Sequence, residues 1–172
     1  MINITTKNGL RLKSPPSFID SLSFYKALKN NESDFLLYSG VPYSKKTVSH
    51  FKNYFKNFQC CFSIYKGNKF VGYVALSPKN SENKEFVIEF YILKQYRRQS
   101  IAYNAVGAVI QFAINVFDRI ERIHAVCVKE NIPAHRLLLN KLGFESKDER
   151  VNPLVVDGMF YNPICVKFTL EL

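Results

Sequence analysis

No two cysteines of this chain stand in CxxC spacing, its three histidines are scattered, and it holds no long apolar run, repeat or low-complexity tract. Each absence excludes something. Cys60 and Cys61 are adjacent, which places them poorly for ligating one metal, and Cys127 and Cys165 stand alone, so no zinc site is expected. No stretch approaches membrane-spanning length, and the N-terminus carries no signal-like pattern, so no membrane partner is expected. Unpaired thiols without a targeting signal point to the cytoplasm. The longest lysine run is Lys45-Lys46, so there is no polybasic arm, and nucleic acid is not the expected partner.

What the chain does have is apolar material. Its 172 residues are 47% hydrophobic and 15% aromatic, enough for a sizeable core in a single domain spanning 1–172. The formal charge of +10 is uneven. Residues 1–80 carry twelve Lys/Arg against Asp20, Glu32 and Asp34, a net of +9, whereas residues 81–172 carry twelve against eleven. Dispersed lysines of this kind read as solvated surface, although a basic half also attracts acidic partners.

Periodicity places the elements. Leu10–Lys13 forms a strand stopped by Pro15-Pro16, and Ser17 caps a helix with Phe18, Leu22, Tyr25 and Leu28 on one side. A second helix after Pro42-Tyr43-Ser44 spaces Val48, Phe51, Phe55 and Phe58 helically. Strands Cys61–Tyr65 and Phe70–Leu76 flank the turn Lys66–Lys69, and Phe86–Leu93 is the next strand. A long helix spans Ser100–Phe117. Arg122–Val128 reads as a buried strand, and Pro133–Lys141 as a short helix closed by Gly143. Terminal strands near Ser146–Val151 and Ile164–Leu170 flank a turn at Asp157-Gly158. The alternation implies an α/β layered domain.

Tyr91–Phe117 carries the most chemistry. An apolar strand runs into a turn with paired arginines and then straight into a helix. Free N–H groups at a helix start, the dipole's positive end and guanidinium forks together make a phosphate cradle. The alternative is a solvated basic turn opening an ordinary helix.

Arg97-Arg98-Gln99-Ser100-Ile101-Ala102 resembles the Arg/Gln-x-x-Gly-x-Gly/Ala pyrophosphate loop of the GNAT superfamily of N-acetyltransferases. Ser100 stands where that pattern has its first glycine, and Ala102 is an allowed small residue. Val128-Lys129-Glu130-Asn131, Ala134-His135-Arg136 and Leu142-Gly143-Phe144 are similar to the family's later strand, turn and short helix. The opening strand, the Pro-Tyr turn and the late Gly158 resemble its ribosomal-protein N-terminal acetyltransferase-like branch. The resemblance implies a mixed, mostly antiparallel sheet flanked by helices and splayed between Phe86–Leu93 and Arg122–Val128. It further implies acetyl-CoA in that cleft, with pantetheine against Ile92 and Leu93 and pyrophosphate over Arg97, Arg98, Gln99, Ser100, Ile101 and Ala102. Asn131 would lie near the pantetheine arm. A serine in place of glycine implies weakened coenzyme binding.

Acetyl transfer to an amine needs a proton acceptor. Glu89, the only charge between Phe86 and Leu93, is the candidate base, and it would also attract an ammonium group. It has a plain alternative, a strand glutamate facing solvent or paired with a lysine. Counting back from Leu142-Gly143-Phe144 puts the family's leaving-group acids at Leu139 and His135, and counting forward from Asn131 puts the serine position at Ala134. Among these His135 is the acid candidate, with an ordinary surface helix residue as its alternative reading and water as the substitute. Cys127 reads as a small buried hydrophobe, and His124 as a hydrogen-bonded structural residue. Tyr43, Asp157 and Tyr161 border the expected acceptor side.

The expected function is direct acetyl transfer from acetyl-CoA to a primary amine in a ternary complex, with a backbone N–H near Ile92 or Leu93 stabilising the oxyanion. A protein N-terminus, polyamine, amino sugar or antibiotic would serve as acceptor, and the basic first half disfavours polycations. The expected assembly is a monomer or homodimer. The rival is a catalytically degenerate module of the same fold that binds CoA or an acidic or nucleic-acid partner.

Overall fold

Among the described residues, ten strands and four α-helices follow one another in the alternating order that the sequence pattern demands. The computed structural model describes residues 1–31, 33–34, 48–79, 84–156 and 159–172. Strands β1 (Ile2–Thr5) and β2 (Leu10–Ser14) precede helix α1 (Phe18–Lys29), and α2 (Val48–Lys56) leads to β3 (Cys60–Lys66), β4 (Lys69–Pro78) and β5 (Glu85–Ile92). Helix α3 (Ile101–Val116), β6 (Arg122–Val128), α4 (Ile132–Leu142) and β7 (Glu145–Val151) follow, then a small ribbon, β8 (Leu154–Val156) with β9 (Met159–Tyr161), and finally β10 (Ile164–Glu171). Eight strands form one sheet in the order β1-β2-β3-β4-β5-β6-β10-β7, antiparallel throughout except for β5 with β6. This is the mixed, mostly antiparallel sheet expected.

Two layers cover the sheet. Alternate strand residues Phe62, Ile64, Val74, Phe86 and Ile88 pack with Ala105, Val106 and Val109 of α3 and Leu138 of α4. The opposite face buries Tyr73, Ala75, Tyr91 and Leu93 under Phe24 and Leu28 of α1 and Phe51 and Phe55 of α2. The Phe24 ring meets those of Phe51, Tyr73 and Tyr91 at 5.1, 5.2 and 5.2 Å, edge to face.

Three details depart from the sequence reading. Ile2–Thr5 is an additional edge strand, too short for its alternation to stand out. The ribbon β8–β9 is inserted between the two terminal strands, and Asp157-Gly158 lies outside the described residues. Helix α1 also presents a different face. It buries Asp20, Ser21, Phe24 and Leu28, while Phe18 is 58% exposed. The cause is polar. Asp20 closes a capping box with Ser17 and also accepts from the hydroxyls of Ser63 and Tyr65 on β3, which turns the helix until that carboxylate meets the sheet. Burial and Asp20 together push the Tyr65 phenol up to about 12.

Candidate functional site

The site begins where two strands stop pairing. β5 and β6 run parallel over Glu85↔Arg122, Phe86↔Ile123 and Val87↔His124, and beyond Val87 they separate. At the paired end His124, 3% exposed, holds them together. Its Nε2 lies 2.8 Å from Glu85 Oε2 and its Nδ1 3.0 Å from Thr169 Oγ1 on β10. Burial lowers the His124 pKa, whereas hydrogen bonds from Lys79 and His124 hold Glu85 down to about 2. His124 is therefore the hydrogen-bonded structural residue expected.

Past Val87 the open edge of β5 follows from its register with β4. The Leu93 N–H donates to the Val71 carbonyl at 2.9 Å, and Tyr73 lies opposite Tyr91. Odd-numbered residues of β5 thus spend their backbone groups on β4, and those of Phe90 and Ile92 face the side from which β6 has diverged. The expectation for Leu93 needs correcting on this point, because its N–H is committed to β4 and cannot serve an oxyanion. The Ile92 backbone does face that side, with its carbonyl accepting from Arg97 Nε. Phe90, which the sequence did not single out, joins it.

Gly72 sits opposite Ile92 and allows this close approach. A Cβ there would lie 2.1 Å from the Tyr91 carbonyl oxygen.

The mouth of the cleft is lined by Ile88, Glu89, Phe90, Cys127, Asn131 and Ala134 among others. Asn131 caps α4. Its Oδ1 accepts from the Ala134 N–H at 3.4 Å, which orients the amide beside the cleft. Cys127 is buried, and burial pushes its thiol up to about 12, which makes it a poor nucleophile. Glu89 projects toward the α1–α2 side and is half-buried. Its Oε1 accepts from the Tyr54 hydroxyl on α2 and the Tyr73 hydroxyl on β4. It is not a solvent-facing glutamate. The sequence missed both tyrosines. Tyr73, however, sits inside an apolar strand, where a buried phenol requires a hydrogen-bond partner.

The turn after β5 is built on left-handed backbone and opens a helix. Arg98 and Ser100 both adopt left-handed backbone, with φ of 58° and 56°, and Ser100 is the N-cap of α3. The first N–H groups of that helix, from Ile101 and Ala102 onward, have no intrahelical acceptors, and they point out of its start. The Gln99 side chain accepts from Lys66 Nζ at 2.7 Å, which brings a lysine of the β3–β4 hairpin to the turn.

The Arg98 side chain is exposed, whereas the Arg97 fork is spent internally, on Asp34 at 2.6 Å through both Nη atoms and on the Ile92 carbonyl through Nε at 2.9 Å. This corrects the picture of two guanidinium groups offered to a phosphate. Arg97 shapes the turn from behind, because a buried carboxylate attracts its charge more strongly than solvent does.

His135 is also placed differently. Its Nε2 lies 3.1 Å from the Val128 carbonyl, which only accepts, so this nitrogen carries a proton and donates it there. The ring packs edge-on against Phe168 at 5.0 Å and does not line the cleft. This corrects the expectation of His135 as an acid. Tyr161 is half-buried against the α1–α2 cluster, while Tyr43 and Asp157 lie outside the described residues. No group of metal-binding side chains occurs among the described residues. A larger trough of about 770 Å³ runs along α3, lined by Lys7, Tyr103 and Lys141 among others, with no aspartate, glutamate, histidine or cysteine in its lining.

The sequence model of the acetyltransferase (GNAT) family matches residues 24–144. Among solved structures, RimL, the ribosomal L7/L12 α-N-protein acetyltransferase in complex with coenzyme A, superposes with a TM-score of 0.81 at 12% identity, covering 99% of this chain and 98% of that one. The Salmonella typhimurium acetyl transferase that modifies the N-terminal serine of L7/L12 gives 0.78 at 13% identity, covering 98% and 96%. The microcin C7 self-immunity acetyltransferase MccE, in complex with acetyl-CoA and AMP, gives 0.75 at 16% identity, covering 95% and 92%. No curated protein sequence matches significantly.

Proposed function

The chain belongs to the acetyltransferase (GNAT) family, and from that premise we propose that residues 1–172 form one cytoplasmic domain that moves an acetyl group from acetyl-CoA to a primary amine by direct transfer. One observation carries the reading. The cleft left by the divergence of β5 and β6 is lined by a carboxylate, Glu89, and stands beside a left-handed turn that opens a helix.

In this reading the N–H groups of Ile101 and Ala102, helped by Arg98 and Lys66, hold the pyrophosphate. The outward backbone groups of Phe90 and the Asn131 amide hold the pantetheine arm. The Ile92 N–H is the oxyanion donor. Glu89, fixed in orientation by two phenols, takes the ammonium proton directly or through one water. A thiolate is a good leaving group, so water suffices as its proton source. Most of the rate gain comes from holding amine and thioester together. The α-amine of a protein N-terminus is the first acceptor to screen, in keeping with the fold neighbours that act on L7/L12.

Ser100, with Ala134 and Leu139 at the acid positions, favours a second reading, a degenerate module that binds CoA without turnover. One experiment separates the two. Melting is followed with excess acetyl-CoA and with adenosine diphosphate as control, and acceptor screening uses wild type and Glu89→Gln. An enzyme shows a larger shift with acetyl-CoA and turnover that Glu89→Gln abolishes while the shift remains. A shift without turnover on any acceptor class supports the module. No shift at millimolar coenzyme removes both readings.

A further inference from the structure

Asp34 is a buried carboxylate, its side chain 6% exposed, far in sequence from every residue assigned above to coenzyme or chemistry. Its oxygens receive both Nη atoms of Arg97 at 2.6 Å and the hydroxyl of Tyr91. Arg97 lies at the root of the left-handed turn. Its Nε grips the Ile92 carbonyl at 2.9 Å, and its guanidinium carbon lies 5.2 Å from the Tyr91 ring centroid. Burial, and then Asp34, raise the Tyr91 pKa, so that phenol stays a donor. The three side chains form a closed brace between the segment after α1, the end of β5 and the turn that opens α3.

We propose that Asp34 is a positioning residue for coenzyme binding, which acts by fixing Arg97 and through it the Ile92 carbonyl and the Arg98–Ser100 turn. The proposal rests on the reading of that turn as the pyrophosphate cradle. It makes a prediction whose sign is unusual. Removing a negative charge near an anion site ordinarily strengthens anion binding. Here Asp34→Asn should weaken it, because Asn supplies neither two acceptors nor a counter-charge, and Arg97 swings away from the turn it shapes.

The test is calorimetric titration of CoA into wild type, Asp34→Asn, Arg97→Lys, Tyr91→Phe and the double variant Asp34→Asn/Arg97→Lys. All titrations run well below each protein's melting temperature. Asp34→Asn and Arg97→Lys should each weaken CoA by about tenfold, and the double variant by no more than either alone, since they cut one brace. Tyr91→Phe removes one of three donors and should weaken CoA only about two- to threefold, which keeps the test open if the charge variants do not fold. With an acceptor found, KM for acetyl-CoA should rise in these variants while kcat at saturation holds.

CoA affinity in Asp34→Asn equal to or tighter than wild type overturns the proposal, as does additive loss in the double variant. Failure of wild type itself to bind CoA refutes instead the reading of the turn, and the two failures are thereby distinguished.

Discussion

Replacing Ser100 by glycine should make the protein more stable and bind acetyl-CoA more tightly. Ser100 sits at φ 56° and ψ 14°, in the left-handed region. An L-residue with a Cβ occupies that region at a cost of about 1–2 kcal/mol, which glycine escapes. The greater freedom of glycine in the unfolded chain returns about 0.4–1 kcal/mol of that gain. The Ser100 hydroxyl makes no capping hydrogen bond, and glycine is tolerated at an N-cap, so little else is lost. The net gain is roughly 0.5–1 kcal/mol, which for a domain of this size raises the melting temperature by about 1–4 °C. Ser100→Ala is the control. It keeps the Cβ and the strain, so its melting temperature should match wild type. Differential scanning calorimetry with and without acetyl-CoA measures both effects, and the ligand-induced shift should be larger for Ser100→Gly, because the backbone then approaches the pyrophosphate without a side chain between. A Ser100→Gly protein no more stable than Ser100→Ala would show that the turn is not left-handed at this residue in solution. The strain argument would then fail.

Gly72→Ala should destabilise the protein by about 2–3 kcal/mol, since the new Cβ would lie 2.1 Å from the Tyr91 carbonyl and must push β4 from β5. Thermal melting checks it, and a change within a degree would show that the strands part at no cost. Stability should also fall with acid in two windows. His124 resists protonation in the fold, so stability is lost as pH drops through 6.5, the ordinary histidine value, where the unfolded chain takes up the proton first. Glu85 is held at about 2 against an ordinary 4.5, so its contribution is complete above 4.5 and lost as pH falls from there to about 2. Glu85→Gln should flatten the lower window of a melting-temperature-versus-pH curve, and an unchanged slope there would mean that the carboxylate is not held ionised by Lys79 and His124.

Much of this protein was legible in the chain, and what was legible was local. Ser17, Asn131 and Gly143 punctuate helices through bonds to residues three to five positions away. The strand-turn-helix order of Tyr91–Phe117 determines a helix start aimed at one point whatever surrounds it. The cleft side of β5, with Glu89 within it, was approached through an isolated charge in an apolar strand. What sequence could not supply is the choice of partner over long separations. Whether Arg97 serves a phosphate or Asp34 is decided 63 residues away, and Glu89 takes its donors from Tyr54 and Tyr73, at separations of 35 and 16. His135 finds its partner closer by, since α4 folds back so that its half-buried ring meets the Val128 carbonyl seven positions earlier. The order of strand, turn and helix is set by adjacent residues, so the sequence by itself determined where a helix start with free N–H groups lies. Only the packed sheet decided which side chains remain free to use it, because buried charges and phenols pair with whatever the fold brings within reach.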